Sequence, residues 1–454
     1  MDRLEEFVDP FRALFKSGTR SVADSAMSFL RGLFVAERRN LQQISESVDD
    51  VEHQNLQYLL SEAKWDFREV QRKIAQDADA LLGGHDDSVL IIDESGFSKK
   101  GECSAGVRRQ WNGRLGKVDN CQVGVFAALS HGIGVALIGA RLYLPKEWTE
   151  SKKRCDKAHI PADEQAFKIK SQIGLDMIRG ARADGVRFSW VSADAGYGKE
   201  PDFLRAVADM GERFLVHVHA SQRIFIEDPR PAPVIPKGTG GRPPKRLGSS
   251  IKSVRVDAWM KKRKVQDWSL LQARHATLGP ICVEAVHQPV WLWDGTESEP
   301  RLWTLLIVRN PADHTDIHYA LTNAAADTQL LDLVRIERQR FWIEHALGDA
   351  KSEVGMGHYE VRTWVGWHRH MTLCMLASLF SLGERIRVAN VMPLLSTRDV
   401  RCVLAELITH PDQPRETIYR NIAKRQEQRW ASTQSRYRKA CIPPYYNALN
   451  RSTM

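Results

Sequence analysis

The spacing of apolar residues changes near residue 84, from a helical to a strand-like pattern. Residues 1–84 place apolar side chains three and four positions apart with few β-branched runs, which predicts a helical domain. Beyond the Gly-Gly pair at 83–84, apolar runs bounded by turn residues predict an antiparallel meander of three strands, at 89–92, 122–129 and 134–144. The pattern therefore favours a mixed α/β fold behind an N-terminal set of helices.

A helical pattern then covers 164–184, and two more strands are predicted, one ending at Asp194 and one at 214–219. Three antiparallel strands, a helix and a further strand that carries an acid are typical of a ribonuclease H-like α/β core. In that fold the helix with the last acid follows soon afterwards, whereas here the matching Glu344 comes much later in the chain. This delay predicts an insertion.

The inserted segment begins with a basic stretch rich in Pro and Gly at 229–246, and alternating apolar runs follow it. This composition predicts a basic linker and a β-rich subdomain. Five segments result: a helical domain expected to bind DNA ends (1–84), the first part of the core (85–219), the basic linker with the β-rich insertion (220–310), the second part of the core with the third acid (311–385), and a helical, basic C-terminal region (386–454).

The net charge of +9 is concentrated in two blocks of Lys and Arg, at 237–264 and 413–454. Such blocks attract polyanions, of which nucleic acid is the commonest, although a solvated linker and tail have the same composition. Residues 40–60 fit either a helix-turn-helix that reads DNA or a bundle that only packs or dimerises. Both alternatives stay open at the level of the sequence.

The seven cysteines are widely spaced and form no Cys-x-x-Cys pair. This pattern indicates reduced thiols in a cytoplasmic protein and argues against a disulfide framework or a structural zinc site. The first residues lack the basic start and apolar core of a signal peptide. Residues 123–140 are almost free of charge, but a Ser-His-Gly-Ile-Gly break predicts a β-hairpin there, and no membrane span is expected.

The candidate chemistry lies in three acids. Asp93 and Asp194 end apolar runs, and Glu344 lies in a helical run that also carries Arg340 and Lys351 on the same face. Three carboxylates suit a pair of Mg²⁺ ions that promote phosphoryl transfer. Individually, strand-end aspartates also cap turns, and glutamates on helices usually face solvent.

Several longer segments sharpen this hypothesis: Asp93-Glu-Ser-Gly-Phe-Ser-Lys-Lys-Gly101, Ser104-Ala-Gly-Val-Arg-Arg-Gln110, Gly116-Lys-Val-Asp-Asn-Cys-Gln-Val-Gly-Val-Phe126, Arg141-Leu-Tyr-Leu-Pro-Lys-Glu-Trp148 and Ala193-Asp-Ala-Gly-Tyr-Gly198. Together they resemble the core of DDE-type bacterial insertion-sequence transposases. The run Arg340-x3-Glu344-x6-Lys351 is similar to the signature of the branch with a β-strand insertion. That signature usually has a tyrosine three residues before the arginine, where this chain has Glu337.

The resemblance implies that Asp93, Asp194 and Glu344 bind two Mg²⁺ ions, or Mn²⁺ in their place, and that Arg340 and Lys351 contact DNA phosphate. It implies cut-and-paste transposition by a homodimer acting on terminal inverted repeats and target DNA, in a bacterial cytoplasm and associated with the nucleoid. Two alternatives are a structure-specific ribonuclease H-like nuclease and a catalytically silent DNA-binding protein derived from a transposase.

Further DNA contacts are predicted from basic residues. Lys99, Lys100, Arg108 and Arg109 flank the loop after the first core strand and could grip phosphate. Arg242, Lys245 and Arg246 lie in the basic linker, where Gly241-Arg242-Pro243 is similar to a minor-groove arm. Related transposases stack a flipped base on an aromatic residue of the insertion, and the sequence does not choose among five candidates, Trp259, Trp268, Trp291, Trp293 and Trp303.

Overall fold

The computed structural model describes residues 2–49, 51–234, 246–276, 279–409 and 415–439. The chain forms two compact units. Among the described residues, the first comprises those of 2–188 and 341–435, and the second comprises those of 189–340 and 436–439. Both helices and a mixed set of strands are present, so the predicted α/β class is confirmed.

The N-terminal part of the first unit is helical, as predicted. Its elements are α1 (Asp2–Val8), a 3-10 helix (Asp9–Leu14), the short strands β1 (Lys16–Ser17) and β2 (Arg20–Ser21), α2 (Ala23–Val35), α3 (Leu41–Ser47), α4 (His53–Ser61) and α5 (Phe67–Leu82). Polar side chains cap two of the helices: Asn40 accepts from the Gln43 amide and Asp66 from the Arg68 amide. In α5, apolar residues four positions apart form the buried face, namely Val70, Ile74, Ala78 and Leu82.

An antiparallel sheet follows in the same unit. Its strands are β3 (Val89–Ser98), β4 (Arg108–Asn112), β5 (Lys117–His131) and β6 (Gly134–Leu142). The long β5 pairs with β3 and β4 on one side and with β6 on the other. The three predicted strands and the predicted hairpin at 123–140 are thus confirmed, and β4 is additional. No helix in the described part of the chain combines the length and apolar character that a bilayer crossing requires.

The remaining helices of the first unit are α6 (Lys146–Thr149), α7 (Lys152–Lys157), a 3-10 helix (Ala162–Glu164), α8 (Lys170–Ala183), α13 (Phe341–Ser352), α14 (Trp364–Arg387), α15 (Thr397–Thr409) and most of α16 (Arg415–Lys439), which crosses into the second unit after Ser435. The predicted helix at 164–184 begins later than expected, at Lys170. Most of α14 is buried, and its Arg369 donates hydrogen bonds to the carbonyls of Leu60, in the last turn of α4, and Trp65, in the segment between α4 and α5.

The second unit is built on a mixed sheet with the strand order β11-β12-β13-β14-β8-β7. Within this order, β7 and β8 pair in parallel, and the pairs from β11 to β8 are antiparallel. In chain order its elements are β7 (Trp190–Ala193), α9 (Ala195–Gly198), α10 (Pro201–Asp209), β8 (Phe214–His217), β9 (Arg223–Ile224), β10 (Val254–Arg255), α11 (Val256–Met260), a 3-10 helix (Val265–Asp267), β11 (Ser269–Ala276), β12 (Gly279–Leu292), β13 (Arg301–Arg309), β14 (Ile317–Thr322) and α12 (Leu330–Gln339).

The strands predicted in the insertion do not form a sheet of their own. Pairing of β14 with both β13 and β8 makes β11, β12 and β13 continue the sheet that contains β7 and β8. Along β13, buried and exposed residues do not alternate: the six consecutive residues from Trp303 to Val308 are all buried, so both faces of this strand are covered. The inserted strands therefore share one hydrophobic core with the strand that precedes Asp194.

Candidate active site

Asp93 lies in the middle of β3, and the prediction that it ends a strand is wrong. It pairs with Phe126 of β5, and the pairing continues as far as Ser98 opposite Cys121. The polar Asp-Glu-Ser-Gly run weakens the local strand signal, but the long β5 supplies partners for it. Asp93 Oδ1 accepts a hydrogen bond from the Glu94 amide at 2.7 Å, and its side chain is half-buried.

The neighbouring Glu94 is engaged elsewhere. Its Oε2 lies 2.6 Å from Nζ of Lys170, the first residue of α8. Successive side chains of a strand point to opposite faces, so Asp93 and Glu94 serve different surroundings. The Glu94 carboxylate is therefore engaged in an ion pair with a helix of the first unit.

Asp194 comes directly after β7, as predicted, and it is the N-cap of the single-turn helix α9. Its carboxylate accepts hydrogen bonds from the amides of Gly196 at 2.9 Å and Tyr197 at 3.3 Å. The Ala-Gly-Tyr-Gly sequence suits this turn because a Cβ on Gly198 would lie 1.9 Å from the carbonyl oxygen of His217. The motif thus lets the backbone of α9 approach β8 while it orients the carboxylate.

Glu344 is exposed in the first turn of α13, and Lys351 lies in the last turn of the same helix. The run from Arg340 to Lys351 is not one helix as predicted. α12 ends at Gln339 and α13 begins at Phe341, with Arg340 as the residue between them, although its φ of −52° and ψ of −37° remain helical. Glu344 and Lys351 thus share α13, whereas Arg340 lies just before this helix in a helical backbone conformation.

Lys351 reaches back from α13 to the strand that carries Asp93. Its ammonium donates hydrogen bonds to Oγ of Ser95 and, at 3.3 Å, to the carbonyl of Gly96, and it lies 4.7 Å from the centre of the Phe97 ring. Burial lowers the pKa of Lys351 to about 8, and the Arg114 charge adds to this effect, whereas the Asp93 carboxylate opposes it. The first unit therefore holds a half-buried cation within the electrostatic reach of Asp93.

The three acids have the chemistry that Mg²⁺ requires, namely carboxylate oxygens that are not sealed from water. Asp93 and Asp194 are half-buried, and Glu344 is exposed. Asp93 and Glu344 belong to the first unit, and Asp194 belongs to the second. Each of the three carboxylates thus has the chemistry of a ligand for a hard divalent cation.

The predicted DNA contacts next to β3 have different environments. Lys99 donates to the carbonyl of Tyr359 at 3.1 Å and lies 3.4 Å from the centre of its ring, and burial lowers its pKa to about 8. Lys100 and Arg109 are exposed. Arg108 is also exposed but pairs with Glu147 at 2.6 Å. Lys100 and Arg109 are thus the more accessible of the four cations.

In the basic linker, Arg242 and Lys245 fall outside the described residues, and Arg246 is exposed. The five candidate tryptophans divide by burial. Trp259, Trp293 and Trp303 belong to the core, whereas Trp268 and Trp291 are only half-buried. The guanidinium of Arg309 lies 3.7 Å from the centre of the Trp268 ring and covers one of its faces.

Glu337, which replaces the usual tyrosine, is directed into the core of the second unit. Only 2% of its side chain is exposed, and Oε1 accepts hydrogen bonds from Nε2 of His217 and Nδ1 of His318, both at 3.0 Å. The Arg340 amide donates a backbone hydrogen bond of 3.4 Å to the carbonyl oxygen of Glu337. Burial raises the pKa of Glu337, but the two histidines and Arg338 outweigh it and hold the pKa well below its ordinary value.

Sequence reasoning missed His217 and His318. They are far apart in the chain, and only the pairing of β14 with β8 brings them together, with His217 opposite Ala320. One signal was available: two histidines interrupt the apolar run Phe214-Leu-Val-His-Val-His219. A histidine in a buried strand needs a polar partner.

Comparison with known proteins agrees with the family resemblance. The model of the DDE superfamily endonucleases matches residues 12–277, which include Asp93 and Asp194, and the chain belongs to this family. The chain is also 25% identical, over 225 residues, to a probable transposase for insertion sequence element IS701 from Microchaete diplosiphon. That match covers 49% of this chain and 56% of the relative, so the chain spans little more than half of that relative's length.

Proposed function

We propose that this chain is a cut-and-paste DNA transposase that cleaves the ends of its element and transfers the freed 3′-hydroxyl into target DNA. The observation that carries the proposal is the link between Lys351 and β3. It places a cation from the helix of Glu344 beside the strand of Asp93. Membership in the DDE superfamily endonucleases supports the same chemistry.

In this proposal Asp93, Asp194 and Glu344 hold two Mg²⁺ ions, or Mn²⁺ in their place. When bound, such ions activate the attacking oxygen and stabilise the leaving one. The protein residues orient the substrate: Lys351 and Arg340 bind the phosphate beside the scissile bond, and the hydrogen bonds of Lys351 to Ser95 and Gly96 fix the position of its ammonium.

The proposed substrate explains the distribution of basic residues. Lys100 and Arg109 are exposed next to β3, and Arg246 is exposed at the end of the basic linker. We assign phosphate binding to these cations and the reading of DNA ends to the helices before β3. In the same proposal, β3 with Asp93 and β7, which Asp194 follows, belong to a ribonuclease H-like catalytic core. Because two ends must be held together for joining, the proposed active form is a homodimer on DNA.

The test is a cleavage assay with the purified full chain, Mg²⁺ and DNA that carries the ends flanking its gene. Products are resolved into nicks, hairpins and joined strands. Asp93→Asn, Asp194→Asn and Glu344→Gln should each abolish every product. Glu94→Gln is the matched control, because its carboxylate neighbours Asp93 in sequence but pairs with Lys170.

The other outcomes separate the alternatives. Cleavage of branched or nicked DNA irrespective of the end sequence, without joined strands, would identify a structure-specific nuclease. Specific binding without any cleavage by the wild-type chain would identify a catalytically silent DNA-binding protein. Cleavage that survives all three substitutions would refute the assignment of the acids.

A further inference from the structure

His217, His318 and Glu337 form a compact cluster inside the second unit. One potential ligand atom of each residue lies within 4.8 Å of the other two. His217 ends β8, His318 is in β14, and Glu337 is in the last turn of α12. Because Ala320 pairs with His217, His318 is the diagonal neighbour of His217 on the same face of the sheet. The register of the two strands therefore builds the histidine pair, and α12 places the carboxylate against it.

We propose that this cluster is a binding site for a transition-metal ion of the Zn²⁺ class, separate from the acids proposed to hold Mg²⁺. Two imidazoles and one carboxylate are a common three-ligand set for Zn²⁺, with a water molecule as the fourth ligand. Imidazole nitrogen suits Zn²⁺ and its first-row neighbours, whereas Mg²⁺ favours oxygen alone. The proposal goes beyond the proposed transposase activity.

The distances suit such an ion. Zn²⁺ binds His nitrogen and carboxylate oxygen at about 2.0–2.2 Å, so neighbouring ligand atoms of a tetrahedral site lie roughly 3.3 Å apart. Glu337 Oε1 is 3.0 Å from Nε2 of His217 and 3.0 Å from Nδ1 of His318. These two distances would lengthen by a few tenths of an ångström, and the two imidazole nitrogens, which lie within 4.8 Å of each other, would move closer together. Three coordinate bonds would then replace the two hydrogen bonds.

The surroundings of the cluster also point to a ligand. Oε2 of the fully buried Glu337 has no hydrogen-bond partner among the described residues, although Nε of Arg338 lies 3.1 Å from it. A buried carboxylate oxygen without such a partner is costly. A metal ion that binds the carboxylate, together with its water ligand, would add a directly bonded partner to the ion pair with Arg338.

A second carboxylate orients one of the imidazoles. Nε2 of His318 lies 3.3 Å from Oδ1 of Asp316, which leaves Nδ1 directed at the cluster. Metal-binding histidines usually donate their other ring N–H to a carboxylate or a carbonyl, and this contact fixes the ring and its tautomer. One third of the His318 side chain is exposed, which provides a path for the ion from solvent.

The metal would connect three elements of the second unit, one of which is the helix directly before Arg340. It would bind β8, β14 and the last turn of α12, and Glu337 is three residues before Arg340. The site would therefore fix the last turn of α12, and Arg340, the proposed phosphate-binding residue, comes directly after that turn. A glutamate at the position of the usual tyrosine is then a metal ligand.

The experiment measures metal content. The purified full chain is stripped with a chelator, incubated with Zn²⁺ or Co²⁺, desalted and analysed by atomic emission. We expect about one ion per chain, and Co²⁺ should give the strong visible absorption of a four-coordinate site. Zn²⁺ should also raise the thermal unfolding midpoint, because an ion that binds only the folded state stabilises it.

The variants locate the ion. Glu337→Gln and His318→Asn should lose the retained ion and the Zn²⁺-dependent rise in the midpoint, and circular dichroism verifies that they are folded. His314→Asn is the matched control, because this exposed histidine contacts Glu284 outside the cluster. Asp93→Asn should keep the ion even if it abolishes DNA cleavage, so the two metal proposals fail independently. No stoichiometric retention by the wild type, or retention unchanged in both cluster variants, would overturn the proposal.

Discussion

Lys351 donates hydrogen bonds to Ser95 and Gly96 and thereby ties α13 to the strand of Asp93. A surface lysine would be a flexible phosphate contact, whereas this ammonium is held by two oxygens and the face of Phe97. The same burial that orders the side chain also makes its charge sensitive to pH.

DNA binding should weaken as the pH rises through about 8, because burial lowers the pKa of Lys351 and of Lys99 to that value. Each lysine is charged below its pKa and loses its proton above it. We expect affinity for end-bearing DNA to fall roughly tenfold between about pH 7 and pH 9, a change of about 1.4 kcal/mol. Fluorescence anisotropy measures it. Lys351→Arg should flatten the profile, and Lys100→Arg, at an exposed neighbour, should not.

Gly198→Ala should destabilise the second unit by about 3 kcal/mol, because the new Cβ would lie 1.9 Å from the His217 carbonyl oxygen and force α9 away from β8. The matched control is Gly180→Ala in α8, where nothing lies within 4 Å of the added methyl group. That change should stabilise by about 0.5–1 kcal/mol, since alanine favours a helix interior. Urea unfolding distinguishes the two; equal effects would contradict the close approach.

Arg205→Met should lower the free energy of unfolding by about 3 kcal/mol. The buried guanidinium pairs with Asp294 at 3.1 Å and with Glu297 at 3.3 Å, and its removal would leave both acids without this cation. Arg335→Met, an exposed arginine 3.6 Å from Asp332, should change stability by less than about 0.5 kcal/mol. Chemical denaturation compares the two variants with the wild type.

The Arg205 cluster also predicts acid sensitivity. Burial raises the pKa of Asp294, but hydrogen bonds from Arg205 and Thr296 outweigh it and lower the pKa to about 2. A carboxyl with a depressed folded-state pKa contributes stability that is present above its ordinary value of about 4 and lost as the pH falls towards 2. Asp294→Asn should therefore flatten the loss of stability over that window, and an unchanged slope would contradict it.

Arg369→Lys should lower stability by about 2 kcal/mol, because an ammonium cannot reach the carbonyls of both Leu60 and Trp65 in the geometry of the guanidinium. Arg387→Lys is the control on the same helix, at a half-exposed position that pairs with Glu384. Differential scanning calorimetry would show a lower midpoint for the first variant only.

The periodicity of apolar residues predicted most helices and strands, because long buried runs such as Val89–Ile92 have few alternatives. It missed β4, whose Arg-Arg-Gln-Trp-Asn sequence has no apolar alternation and becomes a strand by pairing with β5. It ended β3 too early for the same reason, since the partner strand decides where a polar run stays extended. Local patterns carry no information about such partners.

In the candidate site, too, some features follow from local sequence and others depend on distant partners. Asp194 at the end of β7 and Glu344 with Lys351 on one helix follow from local sequence. The environment of Glu337 does not, because it depends on the register of β14 against β8 and on the packing of α12. A pairing shifted by one residue would direct His318 to the other face of the sheet.

The fully buried Glu337 couples three positions that are distant in the chain. A phenol in its place would fill more volume and would remove the carboxylate that both imidazoles share, so a tyrosine would fit at 337 only together with changes at 217 and 318. In an alignment of relatives, these three columns should therefore vary as a set. A search that requires the tyrosine would pass over every sequence that has exchanged it for a glutamate and two histidines.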